Sequence, residues 1–141
     1  MWLPRAVEAV FPFFADACNL ERITPPWLRF SVLTPAPIAM REGALIDYRL
    51  RVRGVPIRWR TLIEAWEPPV RFIDRQLRGP YRLWHHEHTF EAHEGGTICR
   101  DRVRFVSPGG ALVHRLWVNR EVATIFRYRQ ERLRAILGEP G

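Results

Sequence analysis

From Leu45 to Val106 the chain alternates apolar and polar residues, broken only by turn-forming positions. Successive side chains of an extended strand point to opposite faces, so such a stretch folds as strands with one buried and one solvated face. Leu45 to Arg53 sets Ile46, Tyr48, Leu50 and Val52 against Asp47, Arg49, Arg51 and Arg53, and Gly54 then makes a turn. Val55 to Glu67 sets Ile57, Trp59, Thr61, Ile63 and Ala65 inward and Arg58, Arg60 and Glu64 outward, ending at Pro68-Pro69. A strand over 70–78, the turn Gly79-Pro80, a histidine-bearing strand, the hairpin signal Gly95-Gly96 and a last strand over 97–106 complete the run.

On either side the period is helical. Val7, Val10, Phe11 and Phe14 predict a helix over 5–15, with Pro4 in its first turn, and a short helix over 16–23 stops at Thr24-Pro25-Pro26. A short strand over 28–33 and a loop over 34–43 lead into the alternating region. From Ala111 to Leu137 the apolar positions Val118, Val122, Ile125, Leu133 and Ile136 form a stripe that also carries Arg129, before Gly138 and Pro140. The class is α+β, an antiparallel sheet with one face to be covered and one long C-terminal helix to cover it. A twisted sheet curved around one helix encloses a cavity wherever bulky side chains do not fill the space.

The histidine strand is where chemistry concentrates. Gly79 to Phe90 holds His85, His86 and His88, three of the chain's five histidines. Alternation puts Trp84, His86, His88 and Phe90 on one face, which reads as the wall of a partly polar enclosed site. In the neighbouring strands Phe72, Asp74 and Gln76 share a face, as do Cys99, Asp101, Val103 and Phe105. With the apolar members inward, Asp74, Gln76 and Asp101 converge on the histidines.

The 141 residues suffice for one domain over 1–141 with one core. No run approaches the roughly 20 apolar residues of a membrane-spanning helix, and Met1-Trp2-Leu3-Pro4-Arg5 has no charged-then-apolar signal pattern, so the cytoplasm is the expected location. Arginine supplies all 22 basic residues, and the formal charge is +7. Those arginines alternate along strands (Arg49, Arg51, Arg53; Arg100, Arg102, Arg104), the pattern of a solvated sheet face, so no nucleic-acid partner is expected. Cys18 and Cys99 form no metal-binding or redox motif and are expected as reduced thiols.

The element order, with Phe11-Pro12-Phe13-Phe14-Ala15-Asp16-Ala17, Asn19-Leu20 and Thr24-Pro25-Pro26, resembles the START-like (SRPBCC) superfamily. It is most similar to bacterial ligand-binding members of polyketide cyclase/dehydrase-like or coenzyme-Q-binding-like type. Gly54-Val55-Pro56-Ile57-Arg58-Trp59, Trp66-Glu67-Pro68-Pro69-Val70-Arg71-Phe72, Gln76-Leu77-Arg78-Gly79-Pro80-Tyr81 and the stretch Gly96-Thr97 through Asp101-Arg102-Val103 carry the same likeness. The resemblance implies a helix-grip fold, a curved antiparallel β-sheet wrapped around a long C-terminal helix with a ligand cavity between them. Members of the family open with a full strand before the first helix. Here only Met1-Trp2-Leu3 precedes Pro4, so the first strand reads as truncated: either the start is misplaced or the sheet has lost most of one strand, in which case an exposed neighbouring strand would offer a route to a homodimer.

Three readings of the converging polar residues follow. Asp and His satisfy one another and fix strand register. Alternatively, Trp59, Trp84 and Phe90 wall in a small hydrophobic ligand (a lipid, polyketide or isoprenoid-like molecule) whose polar groups meet Asp74, Gln76, His86, His88, Asp101 and Arg129, with no cofactor required. Or a His–Asp pair drawn from His86, His88 and Asp101 serves as general base in a cyclase or dehydratase. A metal chelate of His86, His88 and Asp101 belongs with the third reading. Its cupin-like version draws on His86-x-His88 with Glu91, Pro108-Gly109, His114 and Asn119, but at the wrong spacings for that motif, and no metal is expected. Arg129 is expected to pair with Asp74 or Asp101 in preference to reaching a ligand.

Overall fold

A computed structural model describes residues 1–113 and 117–139. The elements in order are β1 (Trp2–Leu3), α1 (Val7–Ala15), a 3₁₀ turn (Ala17–Asn19), α2 (Leu20–Ile23), a second 3₁₀ turn (Pro26–Leu28), β2 (Ser31–Val32), β3 (Leu45–Val52), β4 (Val55–Glu67), β5 (Arg71–Arg78), β6 (Leu83–His93), β7 (Gly96–Val106), α3 (Gly110–Val113) and α4 (Asn119–Leu137). The strands form one seven-stranded sheet in the order β1-β7-β6-β5-β4-β3-β2, and each pairing is antiparallel. One continuous meander with a terminal helix excludes the two-sheet jelly roll that the cupin alternative needs. His114, on which that alternative also drew, lies outside the described residues.

The hairpins close as the turn residues dictate. Arg53 and Gly54 both take positive φ (51° and 79°), as do Glu94 and Gly95 (47° and 74°); two successive left-handed residues match the strand twist in a two-residue turn. The second turn therefore sits one residue earlier than the Gly95-Gly96 signal suggests. Gly96 opens β7 instead, where a Cβ would collide with the Leu3 carbonyl and the Trp2 ring. That close approach lets the short β1 pair with β7 (Trp2↔Ile98, Leu3↔Thr97).

Other departures have local causes. The strand expected over 28–33 shrinks to Ser31–Val32 because Pro26–Leu28 turns and Arg29 is left-handed. The pairing of β4 with β5 slips between Arg60 and Thr61 and again between Ile63 and Ala65. The second slip resets the alternation, so Trp66, and not Ala65, reaches the core: its ring lies 5.4 Å from Phe11 and 5.5 Å from Phe72. Irregularities of this kind bend the strand that carries them, and here they lie midway along the longest strand.

The interior divides lengthwise. At one end Leu3, Val10, Phe11, Ile23, Phe72, Phe90, Cys99, Leu133 and Leu137 form a filled core, braced by Arg5 Nε donating to the Leu137 carbonyl (3.2 Å) and Thr97 Oγ1 donating to the Arg5 carbonyl (2.8 Å). At the other end Val118, Ile125, Phe126 and Arg129 of the terminal helical segment face the sheet across open space. The expected helical stripe thus exists but splits, Leu133 and Leu137 packing while the positions before them cover a cavity. On the outer sheet face Arg60 pairs with Asp47 (2.9 Å), Arg71 with Glu87 (2.8 Å) and Arg100 with Glu91 (2.6 Å), as a solvated face requires. Both thiols are free.

Candidate functional site

The register of β5, β6 and β7 assembles the polar cluster. Asp74 stands opposite His86, and Asp101 opposite His88. The short bonds run along the diagonals: His88 Nε2 to Asp74 Oδ2 at 2.6 Å and His86 Nε2 to Asp101 Oδ1 at 2.7 Å. The remaining contacts are longer, His88 Nδ1 to Asp101 Oδ1 at 3.2 Å and His86 Nδ1 to Asp74 Oδ2 at 3.6 Å. The two imidazoles, both 3% exposed, stack on each other at 3.7 Å. Phe72 stacks on His88 at 4.1 Å, and Phe126 meets His86 edge-on at 5.4 Å. Each ring is thus clamped between two carboxylates and sealed by an aromatic side chain.

This square divides protons unequally. Burial alone would raise Asp101, but the hydrogen bond from His86, the His88 ring beside it and the Arg129 charge outweigh it and hold the carboxyl well below its usual range. In Asp74, likewise, the two histidines and Arg129 outweigh the burial that would raise it. Burial and its charged neighbour His88 push His86 down, whereas in His88 burial is overcome by both carboxylates and the value rises above 6.5. The two imidazoles are therefore unequal: between carboxylates held in their charged form, His88 keeps a proton more readily than His86.

The consequence for stability has a definite sign. A raised His88 contributes stability that is complete below about 6.5 and is lost as pH rises through its folded-state value. Lowered His86 acts only below 6.5, so of the two clustered imidazoles His88 is the one whose contribution is lost above it. The melting temperature of the wild type should fall between about pH 6 and about pH 9 more steeply than that of His88→Gln. Parallel profiles would show that His88 holds no extra proton.

Asp74, His86 and His88 bring potential ligand atoms within 4.8 Å of one another. A chelate fits poorly, however. A metal bonds imidazole nitrogen at about 2.1 Å, in the ring plane, and rings stacked at 3.7 Å and tilted by only 33° send their lone pairs side by side instead of toward one ion. Both Nε2 atoms are, besides, already bonded to carboxylates.

Beside the cluster lies a cavity of about 330 Å³. Its walls are mainly apolar and come from α1, α2, β3, β4, β5, β6 and α4. Trp59, Asp74, Trp84, His86, His88 and Arg129 line it as the sequence suggests. Asp101 stands behind the imidazoles and acts on the cavity through them. Gln76 and Phe90 do not line it. The Gln76 amide donates to the Tyr81 carbonyl (2.7 Å) and accepts from the Tyr81 backbone N–H (3.2 Å), pinning the β5–β6 turn. Phe90 packs in the filled end, 4.9 Å from Phe14 and 5.3 Å from Phe11. Arg129 corrects a further expectation: it makes no direct ion pair with Asp74 or Asp101. Its guanidinium carbon sits 5.9 Å from the Phe14 ring and 5.8 Å from the Phe126 ring, and its Nε is buried without a partner.

Several lining residues escaped the sequence reading. Tyr48 faces inward on β3, its hydroxyl beside Thr61 and its ionisation pushed up by burial; the alternation of Leu45 to Arg53 already pointed it that way. Tyr81 follows the β5–β6 turn and reaches the cavity. Its ring packs 4.9 Å from Trp84 and 5.6 Å from Trp59, and burial pushes its hydroxyl up to about 12. Phe126 lies one position off the helical stripe, so the 3.6-residue period gave no sign of it.

With this geometry in view, solved structures can be compared. Protein CV1439 from Chromobacterium violaceum superposes with a TM-score of 0.77 at 13% identity, over 99% of this chain and 94% of that one. Protein Ms6760 from Mycobacterium smegmatis gives 0.70 at 19% identity over 97% and 87%, and major latex-like protein 151 from Panax ginseng gives 0.70 at 7% over 97% and 93%. The fold they share with this chain is the helix grip, a curved antiparallel sheet around a long terminal helix. No protein-family model and no curated protein matches the chain. At such identities these neighbours speak for the fold alone, and the site must be read from its own residues. No described helix is long and apolar enough to cross a membrane.

Proposed function

We propose that this helix-grip protein binds a small, largely hydrophobic molecule in the cavity between the sheet and α4, in the cytoplasm. The observation that carries the reading is the composition of that cavity: aromatic and aliphatic walls around one compact polar cluster, the usual make-up of a small-molecule site. A volume of about 330 Å³ suits a molecule of two or three fused rings or a short isoprenoid-like chain. The cyclase or dehydratase alternative asks for an imidazole nitrogen turned toward the ligand as a base. The Nε2 atoms of both rings are instead held by carboxylates, which favours recognition over proton transfer.

The test uses an environment-sensitive aromatic probe, N-phenyl-1-naphthylamine. Ile125 lines the cavity from the helix, so Ile125→Trp fills the space without touching the polar cluster. Wild type should bind the probe with micromolar affinity, and Ile125→Trp should weaken it by about tenfold or more with the melting temperature nearly unchanged, since one group filling a pocket shifts binding by about 1.4 kcal/mol or more. Equal affinities in the two proteins would place the probe elsewhere and end the cavity reading. A native mass spectrum of the purified protein would identify a molecule already carried.

A further inference from the structure

We infer that Arg129 sets the specificity of the cavity by offering its guanidinium to a neutral hydrogen-bond acceptor on the ligand, a carbonyl oxygen. The inference rests on the binding reading above and goes beyond it in naming the group recognised.

Three observations carry it. First, Arg129 lines the cavity from a helical face on which Val118, Ile125 and Phe126 are apolar and Glu121 is the other charged residue. Buried polar groups in folded proteins almost always have partners. Among the described residues this guanidinium finds none: its Nε is shut away and unbonded, and no hydrogen bond or ion pair joins it to the cluster. Secondly, the Phe14 and Phe126 rings stand about the guanidinium, at 5.9 and 5.8 Å from its central carbon. Such rings satisfy its charge in part but accept none of its N–H hydrogen bonds. Thirdly, the cavity is already rich in acids. Asp16, Asp74 and Glu121 line it together with Arg129, and Asp101 stands behind the imidazoles. A ligand carboxylate would bring an uncompensated charge into this space, whereas a carbonyl oxygen takes the free donors and adds none.

Three probes on one naphthalene skeleton separate the possibilities: N-phenyl-1-naphthylamine without an acceptor, 6-propionyl-2-dimethylaminonaphthalene with a ketone, and 1-anilinonaphthalene-8-sulfonate with an anion. Wild type should prefer the ketone over the phenylnaphthylamine by about tenfold, the size expected of a hydrogen bond to a charged group. Arg129→Met should abolish that preference by weakening the ketone alone, and Arg129→Gln, which keeps an amide donor, should restore part of it. The sulfonate should bind no better than the phenylnaphthylamine. If Arg129→Met weakens both neutral probes equally, or neither, Arg129 does not select the acceptor, although the cavity still binds. If the sulfonate binds best and loses most in Arg129→Met, the recognised group is an acid and the neutral assignment falls. If none of the three binds wild type, the cavity reading falls and takes this inference with it.

Discussion

Asp101→Ala should lower the melting temperature by about 10 °C, an expected loss of about 3 kcal/mol. The magnitude follows from what the substitution leaves behind. Asp101 accepts the 2.7 Å bond from His86 and stands 3.2 Å from His88 Nδ1. Without it, the two buried rings keep only Asp74. Removing one partner of a buried ionic group is far more costly than replacing the whole group by apolar residues of similar size. The Asp101 side chain is about a quarter exposed, which places the loss at the lower end of the range for buried pairs. Asp101→Asn keeps an acceptor oxygen without the charge and should fall between wild type and alanine. A loss of less than about 3 °C for the alanine variant, against this expectation, would mean that water replaces the carboxylate and that the cluster does not hold the sheet together. Calorimetric melting of the three proteins at neutral pH decides the matter.

Phe90→Ala should cost about 3 to 5 kcal/mol, as truncating a buried aromatic ring usually does. It should do so without weakening the naphthylamine probe. Phe90 is 4% exposed and packs against Phe11, Phe14 and Phe72, beyond the part of the interior that is open. Were it a wall of the binding site, as alternation along the histidine strand first suggests, truncation would change probe affinity as much as stability. Denaturant unfolding paired with probe titration on one preparation separates the two roles.

The contrast between these predictions shows what the sequence could and could not reveal. Alternation from Leu45 to Val106 determined the sheet, its order of hairpins and the face to which Asp74, His86, His88 and Asp101 belong, because a period of two admits only two sides. It said nothing of depth along the strand. His88 and Phe90 share a face, yet two residues separate a polar cluster from a solid core. It was also blind to the slip between Ile63 and Ala65, since a bulge adds a residue without a compositional mark; Trp66 therefore replaced Ala65 in the interior. Pairing within the cluster depended on the diagonal reach of side chains across three strands, which sequence spacing does not encode. Arg129 departed from expectation because a helix places a residue along its axis, and here it fell opposite aromatic rings and out of direct reach of the carboxylates. The edge expected to recruit a second copy carries its own obstacle: Arg100, Arg102 and Arg104 share one face of β7, so two such strands laid antiparallel would bring like charges together.

The lengthwise division of the interior into a packed end and an open end has a kinetic meaning. Opening energies vary across a structure with the amount of buried apolar surface that each opening exposes to water. The end closed by Phe11, Phe72, Phe90, Leu133 and Leu137 should exchange its amide hydrogens only when the whole protein unfolds. The end where the first turns of α4 stand over the cavity has less packing to disrupt and should exchange through smaller excursions, which on the proposed binding reading are also the passage for a guest. The packed half is then a fixed anchor and the open half a door that works without unfolding the rest, and an occupied cavity should slow exchange at the door while leaving the anchor as it was.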